Sequence, residues 1–146
     1  MFVKNALVVE DTDANRLFFE RLLAQAGCRV TSARSGAEAV QSMVSLPDLA
    51  VALVDLEIGD MSGLELMMRL RRQHPDVCII VATMHDDRSV MESAFSRGCD
   101  IFLVKPNGFI DLFKRLSAAS PDDDLRPSVP LIIDQYGVRP YAAAQT

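Results

Sequence analysis

Leu49–Gly63 reads LAVALVDLEIGDMSG. An apolar run from Leu49 to Val54 ends abruptly at Asp55. A short apolar run with β-branched residues, bounded by a polar loop, predicts a strand buried on both faces. Asp55 then stands at its carboxyl end. A loop closed by Gly63 follows, and a helical pattern begins at Ser62 or Gly63, with Leu64, Leu66, Met67 and Leu70 toward the core. His74-Pro75 ends that helix.

The same alternation extends in both directions. Ala6–Val9 is a strand ending in Glu10 and Asp11. Asp13 is an N-cap for a helix to about Gln25, with Leu17, Phe18, Leu22 and Leu23 on its apolar face. Gly27 stops that helix. Cys28–Ala33 is a second strand. Ser35 caps a helix over Gly36–Met43, with Glu38 placed as in a capping box, and Pro47 breaks the chain before the central strand. Downstream, Val77–Ala82 is a fourth strand ending in Thr83. A helix capped by Asp86 or Asp87 runs to about Arg97, where Gly98 closes it. Ile101–Val104 is a fifth strand, followed by Lys105-Pro106 and a last helix over Gly108–Ala119. Strand followed by helix, five times over, predicts an α/β fold with a doubly wound five-stranded parallel sheet. The flavodoxin-like order 2-1-3-4-5 fits it.

The chain has 146 residues, 49% hydrophobic and 24% charged, with a formal net charge of −5. This suits one domain over residues 1–119 plus an appendage over 120–146. Ser120–Pro130 reads as a proline-rich, acidic linker. Leu131, Ile132, Ile133, Tyr136 and Val138 form a sticky tail, and the three consecutive aliphatics suggest that it docks somewhere. The acidic balance gives nucleic-acid binding no electrostatic footprint. Arg69, Arg71 and Arg72 near a helix end are read as favourable partners of the helix C-terminus. No apolar run approaches the roughly 18 residues of a membrane span, and Met1–Val9 lacks the features of a signal peptide. Cys28, Cys78 and Cys99 lack metal-like spacing and read as reduced thiols of a cytoplasmic protein.

In the 2-1-3-4-5 order the first and third strands are neighbours, about 4.8 Å apart. Their carboxyl ends flank the crevice where such folds bind ligands. Glu10, Asp11 and Asp55 therefore meet. Crowded carboxylates need a cation, and hard oxygen ligands in an open site suit Mg²⁺, with Mn²⁺ as a substitute. Thr83 brings a hydroxyl and Lys105 an ammonium to the same rim. Phosphoryl transfer asks for an oxygen nucleophile and positive charge on the equatorial oxygens. A carboxylate at residue 55 needs no general base.

Glu10-Asp11, Asp55, Thr83 and Lys105-Pro106 resemble the signature of the response regulator receiver family, over about residues 3–119. The resemblance implies that Asp55 accepts phosphate from a sensor histidine kinase or a histidine phosphotransfer protein. It implies that Glu10, Asp11, Asp55 and the main-chain carbonyl of Glu57 hold the metal. It further implies a cis Lys105-Pro106 bond that aims the lysine. Thr83 and Phe102 would be the switch pair, acting on a downstream protein through the fourth helix, fifth strand and fifth helix. Glu57 and His85 stand where the family tunes hydrolysis of the aspartyl phosphate.

The sequence departs from the family at three positions. Gly59 replaces a frequent proline and predicts a looser loop. Met84 replaces a small residue and predicts restricted donor access or a biased switch. Phe102 replaces the commoner tyrosine and lacks its hydroxyl.

The expected function is a phosphoacceptor switch without catalytic turnover on an outside substrate. Its output passes through protein contacts made by the output face or the tail, a homodimer included. Two other readings compete. A receiver-like scaffold would work without phosphorylation. A haloacid-dehalogenase-type phosphatase would use Asp11 as nucleophile and Asp13 as acid, but Asp122–Asp124 do not follow a strand as its later acidic pair should.

Overall fold

The computed structural model describes residues 4–120 and 123–142. Met1–Val3, Pro121, Asp122 and 143–146 lie outside them, and with them part of the predicted linker and tail. Strands β1 (Lys4–Val9), β2 (Cys28–Ala33), β3 (Leu49–Asp55), β4 (Cys78–Thr83) and β5 (Ile101–Val104) alternate with five helices. These are α1 (Asp13–Gln25), α2 (Gly36–Ser45), α3 (Gly63–Gln73), α4 (Arg88–Ser96) and α5 (Phe109–Ala118). The five strands are parallel and run in the expected order, β2-β1-β3-β4-β5.

The sheet does not stop there. Leu131–Asp134 forms β6, parallel to β5, and Gly137–Pro140 forms β7, antiparallel to β6, so the sheet has seven strands rather than five. The aliphatics of β6 are buried on both faces. Ile132 packs on the α2–α3–α4 side with Phe102 and Met91, while Leu131 and Ile133 pack on the α1–α5 side with Leu103 and Leu112. Each such burial is worth about 1.5–3 kcal/mol, and the pairing covers an edge that β5 would otherwise expose.

Strand alternation sorts the core into the same two layers. Leu7, Val9, Ala52, Val54, Ile79 and Val81 face α2, α3 and α4, while Ala6, Val8, Val51, Leu53, Ile80 and Ala82 face α1 and α5. On α1 the buried residues are Phe19, Leu22 and Leu23; Leu17 and Phe18 are each 46% exposed, contrary to expectation. The i, i+3, i+4 spacing of 19, 22 and 23 decides the phase. Phe18 meets Phe109 edge to face at 5.0 Å instead. The N-cap of α1 is Thr12 rather than Asp13, which is the first helical residue and pairs with Arg16. Ser35 caps α2 as expected, accepting from Glu38 N at 3.1 Å.

Arg71 does more than complement a helix end. It donates to the carbonyl oxygens of Pro75, Val77 and Gly98, and to Asp100 Oδ2 at 2.7 Å. Asp100, nearly buried, also accepts from Ile79 N at 2.9 Å and from Arg126 Nε at 3.0 Å. Arg126 and the buried Leu125 belong to the stretch read as a linker, which is pinned at these points.

Candidate functional site

Register brings the strand ends to one rim. Val9 pairs with Val54, Asp55 with Ala82 and Thr83 with Val104. The next residues along β1 and β5 are Glu10 and Lys105. Glu10 is held by its own amide, which donates to Ala33 O at 3.1 Å, and by Arg16, which donates to the Glu10 carbonyl at 3.1 Å.

Carboxylate oxygens of Glu10, Asp11 and Asp55 lie within 4.8 Å of one another. Glu10 and Asp55 are buried, whereas Asp11 is exposed, so the cluster opens to solvent on one side. Lys105 Nζ stands 3.4 Å from both Glu10 Oε2 and Asp55 Oδ2. The same ammonium lies 5.7 Å from the centre of the Phe19 ring, which supports it from the apolar side. Glu57 N donates to Asp55 Oδ1 at 2.9 Å.

One cation does not balance three carboxylates. Burial pushes the Glu10 carboxyl up to about 7, helped by its hydrogen bond with Asp55 and by repulsion from it, and opposed by Lys105 and the Thr12 amide. A carboxyl so reluctant to ionise marks a place where positive charge is wanted. The all-oxygen donor set, open on one side, fits a small hard divalent cation.

Thr83 is buried, and its Oγ1 accepts from His85 N at 3.1 Å. The Lys105 amide donates to Thr83 O at 2.7 Å, tying the ends of β4 and β5 together. The Lys105-Pro106 peptide is cis, as expected. The His85 ring pairs with the Glu57 carboxylate, both largely exposed. Met84 is 73% exposed. Phe102 lies wholly buried on β5, with β4 between it and the strand that carries Asp55.

The loop after Asp55 differs from expectation. Gly59 has φ +85°, in the left-handed region that a proline at φ near −65° cannot reach. The loop is tied rather than loose: Asp60 Oδ1 accepts from Gly36 N at 2.8 Å and Oδ2 from Ala37 N at 3.0 Å. Asp60 thus caps α2 from a distance, and these two amides hold its carboxyl below the usual range. An acid beside a glycine gives no local hint of such a role.

Among the described residues no helix is long and apolar enough to cross a membrane.

The model of the response regulator receiver domain matches residues 6–117, and the chain belongs to that family. Over 100 residues it is 36% identical to the DNA-binding transcriptional regulator NtrC of Escherichia coli K12, covering 68% of this chain and 21% of that protein. A cyclic di-GMP phosphodiesterase of Thermotoga maritima is 32% identical over 68% of this chain and 26% of its own. The chain therefore spans about a fifth to a quarter of these relatives. Among solved structures, a CheY-like receiver domain from Methanospirillum hungatei shares the fold, with TM-score 0.72 at 24% identity over 78% of this chain and 90% of that one. A response regulator from Burkholderia pseudomallei, solved with a phosphorylated aspartate, calcium and citrate, gives 0.69 at 29% identity over 75% and 64%.

Proposed function

We propose that the chain is a phosphoacceptor switch in which Asp55 takes a phosphoryl group from a histidine kinase or a histidine phosphotransfer protein. The observation that carries this reading is the meeting of Glu10, Asp11 and Asp55 within 4.8 Å, with Lys105 3.4 Å from two of them. The Burkholderia relative carries a phosphorylated aspartate, which agrees with it.

An Asp55 oxygen attacks phosphorus, the new oxygen–phosphorus bond forms and the phosphorus–nitrogen bond of the donor breaks. The imidazole nitrogen leaves with the bonding pair and takes its proton from water. Lys105 neutralises the equatorial oxygens, and Thr83 offers them its hydroxyl. Glu10, Asp11, Asp55 and the Glu57 carbonyl would hold Mg²⁺, or Mn²⁺ in its place, which supplies further positive charge to the phosphoryl oxygens. Glu57 and His85, paired over the rim, act on the water that later hydrolyses the aspartyl phosphate. Thr83 and Phe102 convert occupancy into a change of the α4–β5–α5 side, which meets a downstream protein. The chain turns over no outside substrate. The protein works in the cytoplasm, in keeping with its free thiols at Cys28, Cys78 and Cys99.

The phosphatase reading is weaker, because Asp13 is engaged by Arg16 on the first turn of α1. Its later acidic pair is not on a strand either: Asp122 lies outside the described residues, and Asp123 and Asp124 are in no strand.

The test is incubation with Mg²⁺ and acetyl phosphate, followed by intact-mass measurement and mapping of the modified residue. One phosphoryl group on Asp55, lost in Asp55→Asn, is the expected result. A label on Asp11 would favour the phosphatase. No label with retained metal binding would favour the scaffold.

A further inference from the structure

Residues 131–142 lie on the side of the sheet next to the proposed switch aromatic. β6 pairs with β5 so that Ile132 sits opposite Phe102, and Leu131 N donates to Asp100 O at 2.9 Å. Past β7 the chain continues the antiparallel ladder by one residue, with Tyr141 N donating to Pro130 O at 2.8 Å. There the Tyr141 ring lies stacked on Phe95 of α4, with centroids 4.1 Å apart and planes 21° apart. Phe95 in turn leans on Phe102 at 6.1 Å. Three rings therefore run in a row from the interior of β5 to the outside of α4.

A second line of contacts reaches the same place. Thr83 Oγ1 accepts from the amide of His85, and α4 begins three residues later at Arg88. The Arg88 guanidinium lies 5.9 Å from the centre of the Tyr141 ring and donates to Ala142 O at 2.7 Å. The N-cap of α4, Asp87, makes no side-chain capping bond; the first turn of α4 is held by Met91 N donating to Asp87 O, by the Arg88–Glu92 ion pair and by Ala142. A movement of Thr83 toward a phosphoryl group pulls on the loop that ends in Arg88. On the switch reading of Thr83 and Phe102, a shift of the Phe102 ring toward Thr83 would loosen the backing of Phe95, which it meets at 6.1 Å. Both disturb Tyr141.

The two parts of the segment differ in hold. β6 is buried between both layers of the core, and Ile133 Cγ2 would lie only 2.7 Å from a Cβ at Gly108. β7 is mostly exposed, as are Tyr136 and Val138, and it is held by its ladder to β6, the Asp134–Arg139 ion pair and the Tyr141 stack. Local opening takes the less buried part first.

We propose that Tyr141 and Ala142 form an intramolecular clasp on α4 that closes while Asp55 is free and opens when Asp55 is phosphorylated, β6 staying in place. The clasp rests on the phosphoacceptor reading of Asp55. Opening uncovers the Phe95 face on which Tyr141 is stacked and frees the Arg88 guanidinium, itself already 55% exposed, from the Ala142 carbonyl.

Binding energy that opens the clasp must be returned when the clasp is removed beforehand. The experiment therefore has two arms, each in Mg²⁺ with beryllofluoride as the phosphoryl mimic. In the wild-type protein, amide exchange at Tyr141 and in β7 is expected to rise about tenfold on adding the mimic, with Leu131 unchanged. In Tyr141→Ala, which alters a residue outside the acidic site, affinity for the mimic is expected to rise by the same factor. A chemical-shift change at Thr83 without faster exchange at Tyr141 overturns the clasp and leaves the phosphoacceptor reading intact, as does an unchanged affinity in Tyr141→Ala. Silence at both Thr83 and Tyr141 overturns the two together.

Discussion

Lys105 Nζ lies 3.4 Å from Asp55 Oδ2, while the main-chain amide of the same lysine donates to Thr83 O at 2.7 Å. The backbone that carries the cation is thus bonded to the residue that carries the hydroxyl. Phosphate held at Asp55 meets both groups at once, and a shift of one is felt by the other.

Replacing that cation tests its share of the chemistry. Lys105→Ala is expected to fold and to slow phosphoryl uptake from acetyl phosphate by about 10²-fold, the usual loss when one preorganised charge-stabilising group is removed. Initial rates by intact mass report it. Uptake within a factor of two or three of the wild type would exclude Lys105 from the transfer step.

The acidic cluster makes the metal-free protein sensitive to pH. The folded Glu10 carboxyl sits at about 7 against 4.5 for an ordinary glutamate. The folded state therefore binds more protons between those values, and its contribution to stability is full below the lower one and lost as pH rises through about 7. Thermal melts without metal are expected to fall across that window, because burial beside Asp55 disfavours the ionised Glu10 carboxylate in the folded state. Mg²⁺, which favours the ionised form, should bind more tightly as pH rises through the same range and release protons as it does. In Glu10→Gln the slope is expected to vanish; a slope that survives assigns it elsewhere.

Asp60 links the site loop to α2. Asp60→Ala is expected to lower the melting midpoint and to speed exchange of the Gly36 and Ala37 amides, which lose their acceptors. The folded Asp60 carboxyl is held low, so its contribution is present above the ordinary aspartate value of 3.8 and disappears as pH drops through its folded value. Native-state exchange followed by NMR separates this local effect from global unfolding.

Gly63 is irreplaceable for reasons of space. A Cβ there would lie 2.6 Å from Leu56 Cα and 2.8 Å from Asp55 O, both backbone atoms that cannot swing aside. Gly63→Ala is expected to cost about 1–3 kcal/mol, read from urea unfolding, and to weaken Mg²⁺ binding because the displaced backbone carries Asp55. A neutral Gly63→Ala would mean that α3 starts farther from β3.

Asp100 binds two arginines, Arg71 through Oδ2 and Arg126 through Oδ1. Asp100→Ala leaves Arg71 and Arg126 without their shared carboxylate and is expected to cost about 3 kcal/mol. Equilibrium denaturation measures it, and removal of both arginines in the same chain should recover part of the loss.

Local pattern in the sequence was enough for the alternation of strands and helices, the parallel order of the first five strands and the carboxyl-end positions of Glu10, Asp55, Thr83 and Lys105. An apolar run that stops at a charged residue marks a strand end by itself, and the parallel order then brings those ends together. The phase of α1 was less legible, because Leu17, Phe18 and Phe19 are consecutive and equally apolar, and only the sheet beneath decides that Phe19 turns inward.

Other features depend on residues far apart in the chain. Arg71 with Asp100 and Arg126, Asp60 with the start of α2, and Tyr141 with Phe95 are pairings that no short-range periodicity encodes. The same holds for β6 and β7. Leu131–Ile133 announced only that it would be buried; the free edge of β5 and the space beside Gly108 settled where. Hydrophobicity is a property of a segment and can be read along the chain, whereas the partner that satisfies it is a property of the assembled sheet.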